Sequence, residues 1–216
     1  MKIAVLGGTG NQGKGLAMRF ALAGHQVWVG SRTREKAQEA VVEMKAELNR
    51  PVELHAGDNA EAAGHAEIVF LTVPHPHELP TVSALKGQLI GKILVDVSVP
   101  LSSYKPPQAE LPSEGSAAEA IQAAVGAQVP VVAAFKTTSA FALQQFSKPL
   151  HSDELVCGDN AQANATVRAL IEGIGARALD AGGLRNARAM ELLTALLITL
   201  DQRYKKRDVG LKFPGV

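Results

Sequence analysis

The sequence predicts an α/β protein, a doubly wound parallel sheet of the Rossmann type followed by a small helical C-terminal segment. Three observations predict this fold class: a strand–turn–helix–strand unit at the N-terminus, strand and helix patterns that alternate along most of the chain, and a long apolar helix near its end. The chain has 216 residues, of which 46% are hydrophobic and only 4% aromatic. A chain of this size can bury one α/β core packed mainly by aliphatic side chains.

The first unit contains a glycine-rich turn. A strand is expected at 2–6, the turn GGTGNQG follows at 7–13, and a helix at 14–23 leads into a strand at 26–29. A unit of ~30 residues with this order is the context of a dinucleotide-binding fingerprint, although the glycines alone would also suit a tight structural turn. Glycines let backbone N–H groups approach a pyrophosphate, and a helix N-terminus adds roughly half a positive charge towards that anion.

The residues after the second strand indicate which dinucleotide binds. An NAD site usually carries a carboxylate about 20 residues after the turn, where it accepts hydrogen bonds from the ribose 2′-hydroxyl. This chain has no carboxylate at the strand tip and reads SRTREK at 31–36 instead. Guanidinium, ammonium and hydroxyl groups suit a 2′-phosphate, so the pattern favours NADP over NAD. The alternative is a solvated first helical turn, with Ser31 or Thr33 as its N-cap.

The alternation of strands and helices continues along the chain. A surface loop is expected at 102–113, which contains three prolines, and no internal repeat is present. Strands are expected at 51–56, 68–73, 92–97, 129–134, 155–158 and 177–180, and helices at 34–48, 59–64, 77–89, 116–125, 139–145, 160–172 and 188–203.

Composition excludes several classes of function. A net charge of +1 does not favour nucleic acid or an anionic membrane as a partner, and no apolar run reaches the ~18 residues of a membrane span. The single cysteine, Cys157, fits a reducing cytoplasm and is expected in the core rather than as a nucleophile. His75 and His77 have no carboxylate at ligand spacing, so no metal is expected, and no hydrolytic motif is present. Hydride transfer needs no protein nucleophile, so no catalytic residue is assigned.

Ligands of open α/β sheets bind at the carboxyl ends of the strands. The residues just after three predicted strands are therefore candidates for the rim of the site, although simple turn chemistry would also explain the two prolines among them. These segments are Thr72-Val73-Pro74-His75, Asp96-Val97-Ser98-Val99-Pro100 and Phe135-Lys136-Thr137-Thr138.

A set of short motifs spread over nearly the whole chain resembles the coenzyme F420-dependent NADP oxidoreductases. The resemblance implies an NADP-binding Rossmann domain at 1–182, a C-terminal segment at 183–216 that closes a cleft, and a deazaflavin in that cleft. The motifs are LGGTGNQGKGLA at 6–17, GH at 24–25, VGSR at 29–32, TVP at 72–74, VSVP at 97–100, SAAE at 116–119, VCGD at 156–159, LDAG at 179–182 and GLKF at 210–213.

The resemblance also implies roles for individual residues. Ser31, Arg32 and Lys36 would hold the 2′-phosphate. The pyrophosphate would be held by Thr9, Gly10, Asn11 and Gln12, and the nicotinamide end would be lined by Val73, Val99 and Ala140.

Two other stretches, at 91–98 and 136–144, are similar to the cytosolic NADPH-oxidising domain of the STEAP metalloreductases, which pass the hydride to a flavin. The chain departs from the F420-dependent pattern at His75, where that family carries an aromatic residue, and at Lys136, where it carries a histidine. Either these two side chains meet a polar or anionic acceptor, or they lie in a solvated loop.

Three functions remain open at this point. The chain is an NADP-dependent reductase of F420, a reductase of a flavin or another small acceptor, or a non-catalytic NADP sensor, and fold alone does not separate them. The predicted helix at 188–203 is apolar over more than one face, which favours a homodimer interface; packing across the sheet edge is the alternative.

Overall fold

The computed structural model describes all 216 residues and contains one sheet of eight strands, a two-stranded ribbon and nine α-helices. Two short 3₁₀ helices, His75–His77 and Leu184–Asn186, complete the elements. The strands are β1 (Lys2–Leu6), β2 (Gln26–Ser31), β3 (Leu54–Asp58), β4 (Ile68–Leu71), β5 (Ile93–Asp96), β6 (Leu101–Tyr104), β7 (Pro107–Ala109), β8 (Val131–Ala133), β9 (Asp153–Gly158) and β10 (Arg177–Asp180). The helices are α1 (Asn11–Leu22), α2 (Arg34–Leu48), α3 (Asn59–His65), α4 (Glu78–Ala84), α5 (Lys86–Leu89), α6 (Ala117–Val125), α7 (Ala140–Gln144), α8 (Ala161–Gly173) and α9 (Ala187–Tyr204).

The strand order of the sheet is β10-β9-β8-β5-β4-β1-β2-β3. Strand β1 pairs in parallel with both β2 and β4, so the order reverses beside β1 and creates the crevice at which such sheets bind ligands. The predicted fold class is confirmed, with a mostly parallel sheet and a helical C-terminal segment.

One part of the sheet differs from the predicted all-parallel arrangement. Strand β9 runs antiparallel to β8, and β10 runs parallel to β9, so the last two strands point opposite to the others. A parallel return requires a crossover over the sheet, usually by a helix. The only helix between β8 and β9 is the five-residue α7, which docks on α1 instead.

The docking of α7 on α1 places the loop before α7 at the glycine turn. A Cβ at Gly15 would lie 2.7 Å from Leu143 Cβ, so this approach requires a glycine. The buried Arg19 guanidinium donates four hydrogen bonds, of 2.8–3.1 Å, to carbonyl groups in and just after α7. These bonds satisfy carbonyls that the end of a helix leaves without partners.

The core lies on both faces of the sheet. Ile3 and Val5 of β1 face a cluster of 30 buried residues, whereas Ala4 and Leu6 face a second cluster of 22. Cys157 is fully buried in the second cluster, as expected, and burial raises the pKa of its thiol to about 12, which keeps it protonated at neutral pH. None of the helices combines the length and the hydropathy that crossing a membrane requires.

The prediction of a surface loop at 102–113 is wrong in part. Strands β6 and β7 form an antiparallel ribbon there, and Gln202 of α9 donates a 2.8 Å hydrogen bond to the Tyr104 carbonyl. The pairing of the ribbon with α9 is a long-range contact that prolines and polar residues do not signal locally. The predicted helix at 77–89 is divided into a 3₁₀ turn, α4 and α5.

Candidate functional site

A large cavity, of about 1080 Å³, opens at the carboxyl ends of β1, β2, β4 and β5. Its volume slightly exceeds the ~300–1,000 Å³ typical of ligand pockets, so it has room for more than one small group. Nine of the ten residues proposed for cofactor binding line it: Thr9, Gly10, Asn11, Gln12, Ser31, Arg32, Val73, Val99 and Ala140. The tenth, Lys36, is exposed in the first turn of α2 and does not line the cavity.

The glycine turn is shaped for a backbone approach. Gly7 has a φ of +72°, and a Cβ there would lie 2.9 Å from Val73 Cγ1. A Cβ at Gly13 would lie 2.6 Å from Thr72 Oγ1 and 2.7 Å from Gly8 Cα. Both glycines are therefore needed to seat α1 directly on the tips of β1 and β4.

The N-terminus of α1 faces the cavity without a competing anion. Its N-cap, Gly10, has no side chain to accept from the first-turn amides, and the first turn contains no Asp or Glu. These amides and the positive end of the helix dipole are available to an anionic group. The donor set fits a pyrophosphate.

The Gln12 side chain has a structural role that the sequence did not indicate. Its amide nitrogen donates a 2.9 Å hydrogen bond to the Phe135 carbonyl, on the loop between β8 and α7. The side chain therefore ties the glycine turn to that loop, and only the backbone of Gln12 remains for an anion.

The strand tip of β2 carries one unpaired cation. Ser31 is buried at the end of the strand, and Thr33 caps α2 by accepting from the Lys36 amide, as the alternative interpretation expected of one of these two residues. Arg34 is ion-paired with Glu61 at 3.0 Å. Arg32 lines the cavity and makes no ion pair or hydrogen bond within the chain, so it is the cation of this segment that is placed to meet a phosphate.

A buried carboxylate supports the loop between β8 and α7. Glu154 of β9 accepts a 2.7 Å hydrogen bond from the Phe135 amide and a second one from the Thr138 hydroxyl. These bonds hold Phe135 at a φ of +57°, a conformation that non-glycine residues seldom adopt. Burial raises the pKa of Glu154 to about 7, although both hydrogen bonds favour the ionised form.

The same loop brings Lys136 into a fully buried ion cluster. Its Nζ lies 2.6 Å from Asp96 Oδ2, 2.5 Å from the Ser98 carbonyl and 3.0 Å from Glu191 Oε1. Burial alone would lower the pKa of Lys136, but the charges of Asp96 and Glu191 outweigh burial and raise it. The expectation of a solvated loop at Lys136 is therefore wrong. The ammonium donates two hydrogen bonds inside the protein, and its ion pair with Glu191 adds a contact to α9, so it holds the tips of β5 and β8 against that helix.

His75 stands at the edge of this cluster. Its Nδ1 lies 2.6 Å from Oε2 of Glu78, whose side chain is only 1% exposed, whereas a third of the His75 side chain is exposed. Burial and the charge of Asp96 raise the pKa of Glu78 to about 7, and the hydrogen bond that His75 donates to Glu78 raises the pKa of His75. His75 and Lys136 are thus linked through one network of carboxylates.

The sequence did not predict three buried acids of the site, which are Glu78, Glu154 and Glu191. Acidic side chains are seldom fully buried, so none of the three stands out in the sequence as a buried group. The only available signals are local: Glu78 stands three residues after His75, and Glu191 interrupts the apolar run of α9. The structure has no group of three or more His, Cys, Asp or Glu side chains that could hold a metal ion.

The far wall of the cavity comes from the C-terminal part of the chain and from the ribbon. These elements face the strand tips across the cavity. The residues involved are Thr194, Leu197, Ile198 and Asp201 of α9, Val209 of the tail, and Leu101 and Tyr104 of the ribbon.

The chain is similar in sequence and in fold to known proteins. Residues 2–100 match the family model described as NADP oxidoreductase coenzyme F420-dependent. The chain is 41% identical to the F420-dependent NADP reductase of Methanothermobacter thermautotrophicus over 100% of its own length and 96% of the relative. It superposes with a TM-score of 0.84 on the crystal structure of a putative F420-dependent NADP reductase from Arthrobacter sp. FB24, at 28% identity and 99% coverage of both chains.

A more distant similarity runs to the STEAP metalloreductases. The chain is 32% identical to metalloreductase STEAP3 of Rattus norvegicus over 91% of its own length, but it covers only 37% of that protein.

Proposed function

The chain belongs to the family of coenzyme F420-dependent NADP oxidoreductases, and on that premise we propose that it transfers a hydride between NADP(H) and the deazaflavin F420. The observation that carries this proposal is the extent of the large cavity. It runs from an uncapped helix N-terminus and an unpaired arginine to a wall built by α9. NADP and a second ring system can therefore share one cavity.

The dinucleotide is proposed to lie along the strand tips. The glycine turn and the start of α1, at Thr9, Gly10, Asn11 and Gln12, hold the pyrophosphate, and the free amides of the first turn of α1 are its main donors. Arg32 and Ser31 hold the 2′-phosphate, with Lys36 adding long-range attraction from outside the cavity. The support is the combination of free donors at α1 and a free guanidinium at β2.

The reacting ends are proposed to meet beside Val73, Val99 and Ala140. These residues line the cavity next to the tips of β4 and β5 and the start of α7, and their side chains are small. When both partners are bound, the nicotinamide supplies a hydride and the deazaflavin accepts it. The protein's part is to orient the two rings and to exclude water, and α9 with the ribbon supplies the cover. This division corresponds to a Rossmann domain at 1–182 and a closing segment at 183–216.

We further propose a homodimer in the cytoplasm. Leu192 and Leu196, one turn apart on α9, are 50% and 52% exposed, so this helix keeps an apolar face that the chain itself does not cover. The lone buried cysteine suits a reducing compartment. A monomeric mass by light scattering at micromolar concentration would contradict the dimer.

The test of function compares two acceptors. Purified protein is mixed with NADPH and either F420 or flavin mononucleotide, and the loss of NADPH absorbance is followed. The proposal expects oxidation with F420 and transfer of deuterium from labelled NADPH to the acceptor. Oxidation with flavin alone would favour the chemistry of the STEAP relatives, and tight binding of NADPH without oxidation would indicate a sensor.

A further inference from the structure

We propose that His75, oriented by Glu78, is a catalytic residue that donates the proton required when the acceptor takes up the hydride. This inference rests on the proposed function and adds an acid to a site in which the sequence assigned none.

The geometry is that of an oriented acid. Nδ1 of His75 pairs with buried Glu78 at 2.6 Å, which fixes the ring. Nε2 has no hydrogen-bond partner within the chain, and the side chain lines the cavity beside Val73 and Pro74. A carboxylate on one ring nitrogen and a reacting group on the other is the arrangement by which proteins stabilise an imidazolium.

The buried cluster has an excess of negative charge. Glu78, Asp96 and Glu191 face a single ammonium, that of Lys136, in a region with no exposed side chain among the four. Glu78 Oε1 is also buried without a hydrogen-bond partner. The cluster is therefore most stable when it holds an additional proton, and its carboxylates draw that proton to the pair formed by Glu78 and His75.

NADPH loses a hydride, which carries two electrons, and becomes NADP⁺. The Nε2–H bond of His75 breaks, and its proton forms an N–H bond at the ring nitrogen that gains hydrogen when the acceptor is reduced. His75 is left neutral and regains a proton from water at its exposed edge. In the opposite direction, neutral His75 accepts the same proton.

Four charged groups near His75 set the pH range over which it can donate a proton. Glu78 of α4, Asp96 of β5 and Glu191 of α9 raise the pKa of His75, whereas Lys136 lies behind the carboxylates that it neutralises. The acid form therefore persists at a higher pH than in an isolated histidine, and reduction of the acceptor should slow as the pH rises through this pKa.

The first experiment needs no ligand. The ring protons of His75 are titrated by NMR in the wild-type protein and in Glu78→Gln, with His75→Gln used for assignment and His151→Gln as a control outside the cavity. We expect a raised pKa for His75 in the wild type and a fall of about one unit or more in Glu78→Gln. An unshifted wild-type pKa would overturn the proposal.

The second experiment measures single-turnover hydride transfer against pH in both directions. His75→Gln should lower the rate about a hundredfold, with the NADPH dissociation constant changed by less than about threefold, and should abolish the opposite pH dependences of the two directions. An unchanged rate and pH profile in this variant would overturn the proton-donor role and leave the proposed function intact. Failure of the wild type to oxidise NADPH with F420 would overturn both.

Discussion

Replacing Lys136 with methionine should make the stability of the protein strongly dependent on pH. Methionine keeps most of the side-chain length but removes the charge. The change leaves Asp96 and Glu191 buried without their cation, and removal of one partner of a buried ion pair typically costs about 3–5 kcal/mol.

The buried carboxylates decide whether the stability of this variant rises or falls with pH. Burial raises the pKa of Glu191 and the charge of Lys136 lowers it, so removal of the ammonium leaves the folded-state pKa of this acid further above its unfolded value. The protein is then most stable below the unfolded pKa, where the acids are neutral in both states, and it loses stability as the pH rises through the folded pKa. We therefore expect the full loss near pH 8 and a much smaller loss near pH 5.

The assay is urea unfolding of wild type and Lys136→Met at the two pH values, with Lys45→Met as the control. Lys45 is an exposed lysine of α2 without an ion pair, and its replacement should change stability by less than about 0.5 kcal/mol. A loss in Lys136→Met that is equal at both pH values, or below about 1 kcal/mol, would refute the buried-cluster reasoning. The sequence left open that Lys136 meets a polar or anionic acceptor, and the hydrogen bonds and ion pair that its ammonium makes inside the protein argue against this role.

Further expectations concern the cofactor, the rings, the loop and the dimer. Arg32→Ala should weaken NADP binding by about 1.5–3 kcal/mol and hardly change NAD binding, as measured by calorimetry. Equal losses of affinity for the two nucleotides would mean that Arg32 does not contact the 2′-phosphate. Ala140→Phe should cut turnover steeply, because hydride transfer needs reacting atoms ~3–3.5 Å apart, and it should change NADPH affinity by less than about tenfold. Full turnover in this variant would show that the two rings do not react beside Ala140. In the wild type, ionisation of the buried Glu154 should lower the free energy of unfolding by roughly 3 kcal/mol as the pH rises from about 4.5 past 7. Glu154→Gln cannot ionise, so urea unfolding should find it more stable than the wild type at pH 8 but not at pH 4. Leu196→Glu should lower the mass in light scattering from dimer to monomer, and an unchanged dimer would exclude this face of α9.

The fold class and the dinucleotide end of the cavity could be predicted from sequence because their determinants are local. The strand, glycine turn and helix of the first unit are consecutive, so their spacing alone predicts the turn and the free helix N-terminus. Arg32 follows β2 directly, and its position at the strand tip depends only on where that strand ends.

The other end of the cavity was decided by the tertiary structure. Lys136 meets Asp96 and Glu191 across separations of 40 and 55 residues, and the apolar context of these acids gives no sign of their partners. The reversal of β9 and the ribbon formed by β6 and β7 likewise depend on where α7 and α9 dock. Local patterns determined where the chain turns and which face is apolar; the pairing of buried charges was determined only by packing, because each charge is stable inside the protein only when the fold brings its partner to it.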